Sequence, residues 1–153
     1  MNVSEASEQE VLAIVERSLA SGDRAGSLSE TCRVLRSRFA QYNWVGVYLL
    51  EGSQLRLAAW DGKEATEHTL IPVDKGICGM AAREDRTVIV GDVDQDPSYL
   101  ACFPYTRSEI VVPIRKGGSV VGEIDIDGDR RNAYDASDDR FLTRVAERLA
   151  TIL

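Results

Sequence analysis

The spacing of the apolar residues changes twice along this chain, and that change constrains its fold more than any other feature. Up to Phe39, apolar residues recur every three or four positions, as one face of a helix requires. From Trp44 to Asp127 the runs are short and β-rich, or alternate apolar with polar, as half-buried strands do. After Ser137 the helical spacing returns. Most strand connections are too short for a crossover helix, so the strands pair antiparallel. The pattern predicts an α+β fold: one antiparallel sheet, helices packed on one face and loops on the other.

In detail, residues 5–20 read as a helix, with Ser7 and Glu10 as a capping box and Val11, Ile14, Val15 and Leu19 on one face. Residues 28–39 read as a second helix, with Ser27 and Glu30 as its box and Leu28, Cys32, Leu35 and Phe39 inward. Strands are expected over 44–50, 55–59, 67–72, 87–90, 109–114 and 119–127, with a short helix over 76–83. Lys116-Gly117-Gly118 marks a hairpin. Residues 92–105 hold two prolines and form a long loop with one helical turn. Ser137 is expected to cap a last helix with Phe141, Leu142, Val145, Leu149 and Ile152 inward.

Composition narrows the function. The 153 residues fit a single domain over 1–153, with 44% apolar and 28% charged residues. A net charge of −7 neutralises phosphates poorly, so neither nucleic acid nor an anionic membrane is an expected partner. The longest apolar run, Trp44 to Leu50, falls far short of the ~20 residues that cross a bilayer. Glu5, Glu8, Glu10 and Glu16 exclude a signal or transit peptide. His68 is the single histidine, and there is no Cys-x-x-Cys, so no metal site is expected. The run Asp125 to Asp129 has its glycine too early for a calcium loop and lacks the closing glutamate. Three cysteines without an export signal suggest a reducing, cytoplasmic setting, with thiols either packed or redox-active.

Cys78 lies where a glycine turn meets a helix start, a position that lowers a thiol pKa; Cys102 lies in a polar loop where it can be accessible. Both can equally be small buried hydrophobes. Cys32, on an apolar helical stripe, reads as core. Glu123, Asp125 and Asp127 alternate along one strand and share a face. Such neighbours repel, which pushes one toward its protonated form and leaves another as an anion for a ligand ammonium. A solvated strand end is the plainer reading of the same residues. Glu109 alone reads as a surface residue. Trp44 and Tyr48 share a strand face, as core or as a pocket wall.

Five segments together resemble a GAF domain: Asn43 to Leu50, Gly76 to Ala82, Ala101-Cys102, Ser108 to Ile114 and Gly122 to Asp127. Within that family they are most similar to the branch that reduces free methionine-(R)-sulfoxide. The resemblance implies a six-stranded antiparallel sheet with a pocket under its long loops. It also implies that Cys102 is the attacking thiol and Cys78 a second redox cysteine able to pair with it. Glu109 and Asp125 would serve the chemistry, while Trp44, Tyr48, Ala101 and Asp127 would hold substrate. No bound cofactor is implied; a thioredoxin-type dithiol would recycle the enzyme.

The chain departs from that branch where His68 replaces a further resolving cysteine. It departs again at Tyr99 and Phe103, which stand where the reductases carry a histidine and an aspartate. A non-catalytic GAF sensor that binds a small molecule and signals through its terminal helices is therefore the second reading. An exposed apolar residue on those helices, such as Leu12, would favour a homodimer. Met1 as a plausible start with no output domain after Leu153 favours the enzyme; a chain that stops inside a helix suits an excised module.

Overall fold

In the computed structural model, which describes residues 3–101 and 103–153, the expected spacing change becomes a layered structure. Helices α1 (Val3–Leu19) and α2 (Arg24–Arg38) come first. Strands β1 (Trp44–Glu51), β2 (Gln54–Gly62) and β3 (Leu70–Pro72) follow, then helix α3 (Gly76–Glu84) and strand β4 (Val88–Val90). A single 3₁₀ turn, Val93–Gln95, interrupts the long loop before β5 (Ser108–Lys116), β6 (Ser119–Gly128) and α4 (Ala136–Ala150). The strands form one sheet in the order β3-β2-β1-β6-β5-β4, antiparallel at every pairing. The fold class is thus the expected α+β architecture.

Alternation along the three central strands sorts side chains onto two faces. On one face, Val45, Val47, Leu49, Ile110, Val112, Ile114, Ile124 and Ile126 form the main core with α1, α2 and α4. Phe141, Leu142, Val145 and Leu149 of α4 fill it as expected, while Ile152 is only half-buried at its edge. Cys32 is fully buried there, and burial pushes its thiol pKa up. The other face carries Trp44, Tyr48 and Val111, covered by α3 and the loop segments around Val93 and Phe103. One helix therefore joins the loops on the second face.

Helix α3 starts at Gly76 as expected, while α1, α2 and α4 start earlier than expected. Ser7 and Glu10 lie inside α1, whose first turn begins before them. Asp23 caps α2 by accepting from the Gly26 amide at 3.1 Å. Ser27 is instead buried and donates to the Ser18 carbonyl. Asp135, with Asp138, forms the capping box of α4, and the Ser137 hydroxyl donates to Asp135. An aspartate accepts an amide as well as a serine does, so the cap goes to whichever stands where the chain turns. Strand β3 is three residues long rather than six, because the Thr66 hydroxyl accepts the His68 amide and turns the backbone just before it. Leu12 is buried, so it offers no stripe to a second copy.

Leu142 has no exposed surface. Leu142→Ala should cost about 2–5 kcal/mol in a urea unfolding experiment. Leu70→Ala, at a half-exposed edge position, should cost well under about 1 kcal/mol.

Candidate functional site

The site grows from the pairing of β6 with β1 and β5. Trp44 faces Asp127, Gly46 faces Asp125 and Tyr48 faces Glu123 across one ladder. Glu109 faces Asp127 across the other. Because the side-chain period is two, Ile124 and Ile126 point into the main core. Glu123, Asp125 and Asp127 therefore point together to the opposite face. None is solvated: Glu109, Glu123, Asp125 and Asp127 are each at most 3% exposed. The solvated strand-end reading is thereby overturned, as is the surface reading of Glu109.

Trp44 can lie flat in this layer only because two glycines leave room. A Cβ at Gly46 would sit 2.5 Å from its indole, and one at Gly62 only 2.2 Å. The ring stacks on Trp60 at 6.3 Å, tilts against Phe103 at 5.6 Å and donates its Nε1–H to the Glu64 carbonyl. The Tyr48 hydroxyl donates to the His68 carbonyl at 2.7 Å. The His68 imidazole Nε2 in turn meets the Ala101 carbonyl at 2.8 Å. The only histidine thus ties the segment before β3 to the loop that leads into residue 102.

α3 supplies the thiol. Gly76 adopts φ +67°, a turn that suits glycine, and starts the helix so that Cys78 falls in its first turn with its side chain toward the sheet. The thiol interacts with both Glu123 and Asp125. Its sulfur and one carboxylate oxygen each from Glu109 and Asp125 lie within 4.8 Å of one another. Glu109 also hydrogen-bonds both Asp125 and Asp127, and the Thr106 hydroxyl reaches Asp127 at 3.5 Å.

An ionised carboxylate only accepts hydrogen bonds, so each carboxyl–carboxyl bond needs a proton. Burying an ion costs several kcal/mol, so four neighbouring acids cannot all stay charged. Burial raises the pKa of Asp125, against the opposing hydrogen bonds from Glu109 and Cys78. Burial and then the charge of Asp125 push Glu123 and Asp127 well above the usual carboxylate range. Both Glu123 oxygens, Asp125 Oδ1 and Asp127 Oδ1 lack a partner of ordinary hydrogen-bond geometry.

A small cavity of about 10 Å³ opens where these groups meet, lined by Ile71, Gly76, Ile77, Cys78, Leu100, Glu109 and Asp125. The structure therefore brings together Cys78, Glu109 and Asp125. Asp127 joins them through Glu109. Trp44 and Tyr48 are buried in the same apolar layer but do not line this cavity, and Ala101 is exposed at the loop. Cys102 lies outside the described residues, so the expected approach of Cys78 and Cys102 is not part of the described geometry. Sequence reasoning passed over Glu123 as a site residue, although its alternation with Asp125 carried the signal. It also missed Leu100 and Ile71, which have no local signature.

A family model for the GAF domain matches residues 25–153. The chain belongs to the GAF domain family. Among its GAF relatives, GAF domain-containing protein A of Dictyostelium discoideum is 34% identical over 128 residues, covering 83% of this chain and 79% of that protein. A solved free methionine-R-sulfoxide reductase of Neisseria meningitidis, in complex with its substrate, superposes with a TM-score of 0.90 at 35% identity, covering 99% of this chain and 91% of that one. A type II free methionine-R-sulfoxide reductase of Thermoplasma acidophilum gives a TM-score of 0.82 at 40% identity, covering 84% and 91%. Among the described residues, no helix of this GAF chain is long and apolar enough to cross a membrane.

The buried acids make a pH prediction. Their folded pKa values lie above the unfolded ones, so the folded state keeps protons that the unfolded chain releases above about pH 4. Stability is then fully present below that pH and lost as pH rises toward the folded pKa values. Glu123→Gln removes one such group without changing its shape. Thermal unfolding followed from pH 5 to pH 8 should show a smaller fall in Tm for Glu123→Gln than for the wild type.

Proposed function

We propose that this chain is an oxidoreductase that reduces free methionine-(R)-sulfoxide. The observation that supports it most is the buried acid layer, which sits against the Cys78 thiol and beneath the loop leading into residue 102. A zwitterionic amino acid presents an ammonium group, and binding it away from water requires a fixed carboxylate. A sulfoxide oxygen needs a proton to leave, and a carboxyl with a raised pKa can give one near neutrality. This layer contains both kinds of group.

In this reading the Cys102 thiolate attacks the sulfoxide sulfur, and its oxygen is protonated from Glu109 or Asp125. Collapse releases methionine and leaves Cys102 as a sulfenic acid. The Cys78 thiol attacks that sulfur, expelling water and closing a disulfide. An external dithiol of the thioredoxin type reduces the disulfide and is itself oxidised. Asp127 holds the substrate ammonium, whose positive charge favours the ionised carboxylate that burial otherwise opposes, with Trp44 and Tyr48 behind it and Ala101 at the loop side. His68 stands where a further resolving cysteine would stand, so recycling runs through Cys78.

A cavity of about 10 Å³ is far smaller than an amino acid. Substrate therefore enters only when Leu100 and its neighbours lift from Ile71 and Gly76. The His68–Ala101 contact opposes that movement. A GAF sensor remains the second reading, favoured by Tyr99 and Phe103 where the reductases differ; Phe103 is buried against Trp44 rather than offered to a ligand.

Turnover of free methionine-(R)-sulfoxide, coupled through thioredoxin and its reductase to NADPH, tests the proposal. Cys102→Ser should abolish turnover. Cys78→Ser should keep one round of reduction and lose recycling. Asp127→Asn should mainly raise KM, and Glu109→Gln or Asp125→Asn should lower kcat by about 10²–10⁴-fold for whichever gives the proton. No turnover at millimolar substrate, with binding retained, would transfer the assignment to the sensor.

A further inference from the structure

The acid layer is richer in buried donors than the reduction of a sulfoxide requires. Three of them come from separate elements: Cys78 from α3, Glu109 from β5 and Asp125 from β6. All are buried, at 5%, 3% and 1% exposure, and their donor atoms lie within 4.8 Å of one another. No local ligand spacing in the sequence links them, which is why a metal site was not expected there.

Two further observations indicate a positive occupant. Asp125, which lines the cavity, has its Oδ1 buried without a partner of ordinary hydrogen-bond geometry. The cavity that Cys78, Glu109 and Asp125 share measures about 10 Å³, the size of an ion or one water and not of an amino acid. Its remaining walls, Ile71, Ile77 and Leu100, are apolar and give a cation no competing donor from their side chains.

We propose that Cys78, Glu109 and Asp125 form a binding site for a thiophilic divalent cation, Zn²⁺ being the fitting ion. A thiolate with two carboxylates favours zinc over magnesium or calcium, which take oxygen donors alone. Zinc–sulfur and zinc–oxygen bonds of about 2.3 and 2.0–2.2 Å place tetrahedral donors roughly 3.3–3.8 Å apart. The donors here, within 4.8 Å of one another, would draw in to that spacing around the ion. Three protein ligands would leave a fourth position open. Binding releases to solvent both the thiol proton and the proton held between Glu109 and Asp125, as the zinc–sulfur and zinc–oxygen bonds form. The proposal does not rest on the sulfoxide reading, and a bound ion would exclude any ligand from the same cavity.

The test uses the fully reduced chain under a non-chelating phosphine. Calorimetric titration with Zn²⁺ should show one ion per chain. Co²⁺ should produce a sulfur-to-metal charge-transfer band in the near ultraviolet. Cys78→Ser should remove that band and weaken Zn²⁺ by about 100-fold or more, since even outer-shell changes cost about 10–100-fold. The near-isosteric Asp125→Asn should weaken Zn²⁺ at least about tenfold. Cys102→Ser and Cys32→Ser should keep both signals. No binding, a band that survives Cys78→Ser, or one lost in Cys102→Ser but kept in Cys78→Ser would overturn the proposal. Zinc binding by a chain that turns over no sulfoxide would leave it standing.

Discussion

The register of β6 between β1 and β5 is the constraint on which the rest depends. Three acids alternate with two isoleucines along β6, and the isoleucines belong to the main core under α1, α2 and α4. Holding them there commits Glu123, Asp125 and Asp127 to the opposite face, whatever that costs in desolvation. A slip of one residue would put three carboxylates into the helical core and two isoleucines among the acids. The apolar burial that stabilises the fold is therefore the same interaction that holds a cluster of buried acids in place. Gly46, opposite Asp125, and the indole of Trp44 lying over it complete the layer.

Much of this was legible because it is periodic. The alternation along 119–127 exposes the shared face of the acids without any structure, and the return of helical spacing after Ser137 marks α4. What periodicity does not carry is the environment of a face. Glu109 at the start of a strand looks solvated until α3 and the loop around Phe103 are seen to cover it. Burial there depends on contacts between segments far apart in the chain, such as Ile71, Cys78 and Leu100 around one cavity. The helix caps were misjudged for a different reason. Ser7, Ser27 and Ser137 all satisfy the capping pattern, but Asp23 and Asp135 satisfy the same chemistry where the chain turns. Thr66 likewise shortens β3 through a side-chain bond that no alternation pattern encodes.

The acid layer and the thiol constrain each other. Cys78 stands in the first turn of α3, where the helix dipole favours a negative charge. Its neighbours Glu123 and Asp125 carry negative charge whenever they lose their protons. Proton occupancy of the acids and the reactivity of the sulfur are therefore one coupled property of the site. A ligand ammonium, a proton or a metal ion each relieves the same excess of buried oxygen.

Trp44 has a consequence of another kind. It is almost fully buried, nearly parallel to the half-exposed Trp60, and in contact with Phe103. The two indoles are the only tryptophans in the chain, and they sit in opposite surroundings, one dry and one wet. Their ultraviolet emission is therefore split between a short-wavelength and a long-wavelength component. Any shift of Phe103 changes the packing of the first and leaves the second in water. The protein carries its own optical gauge of the loop that leads through residue 102, with no label attached.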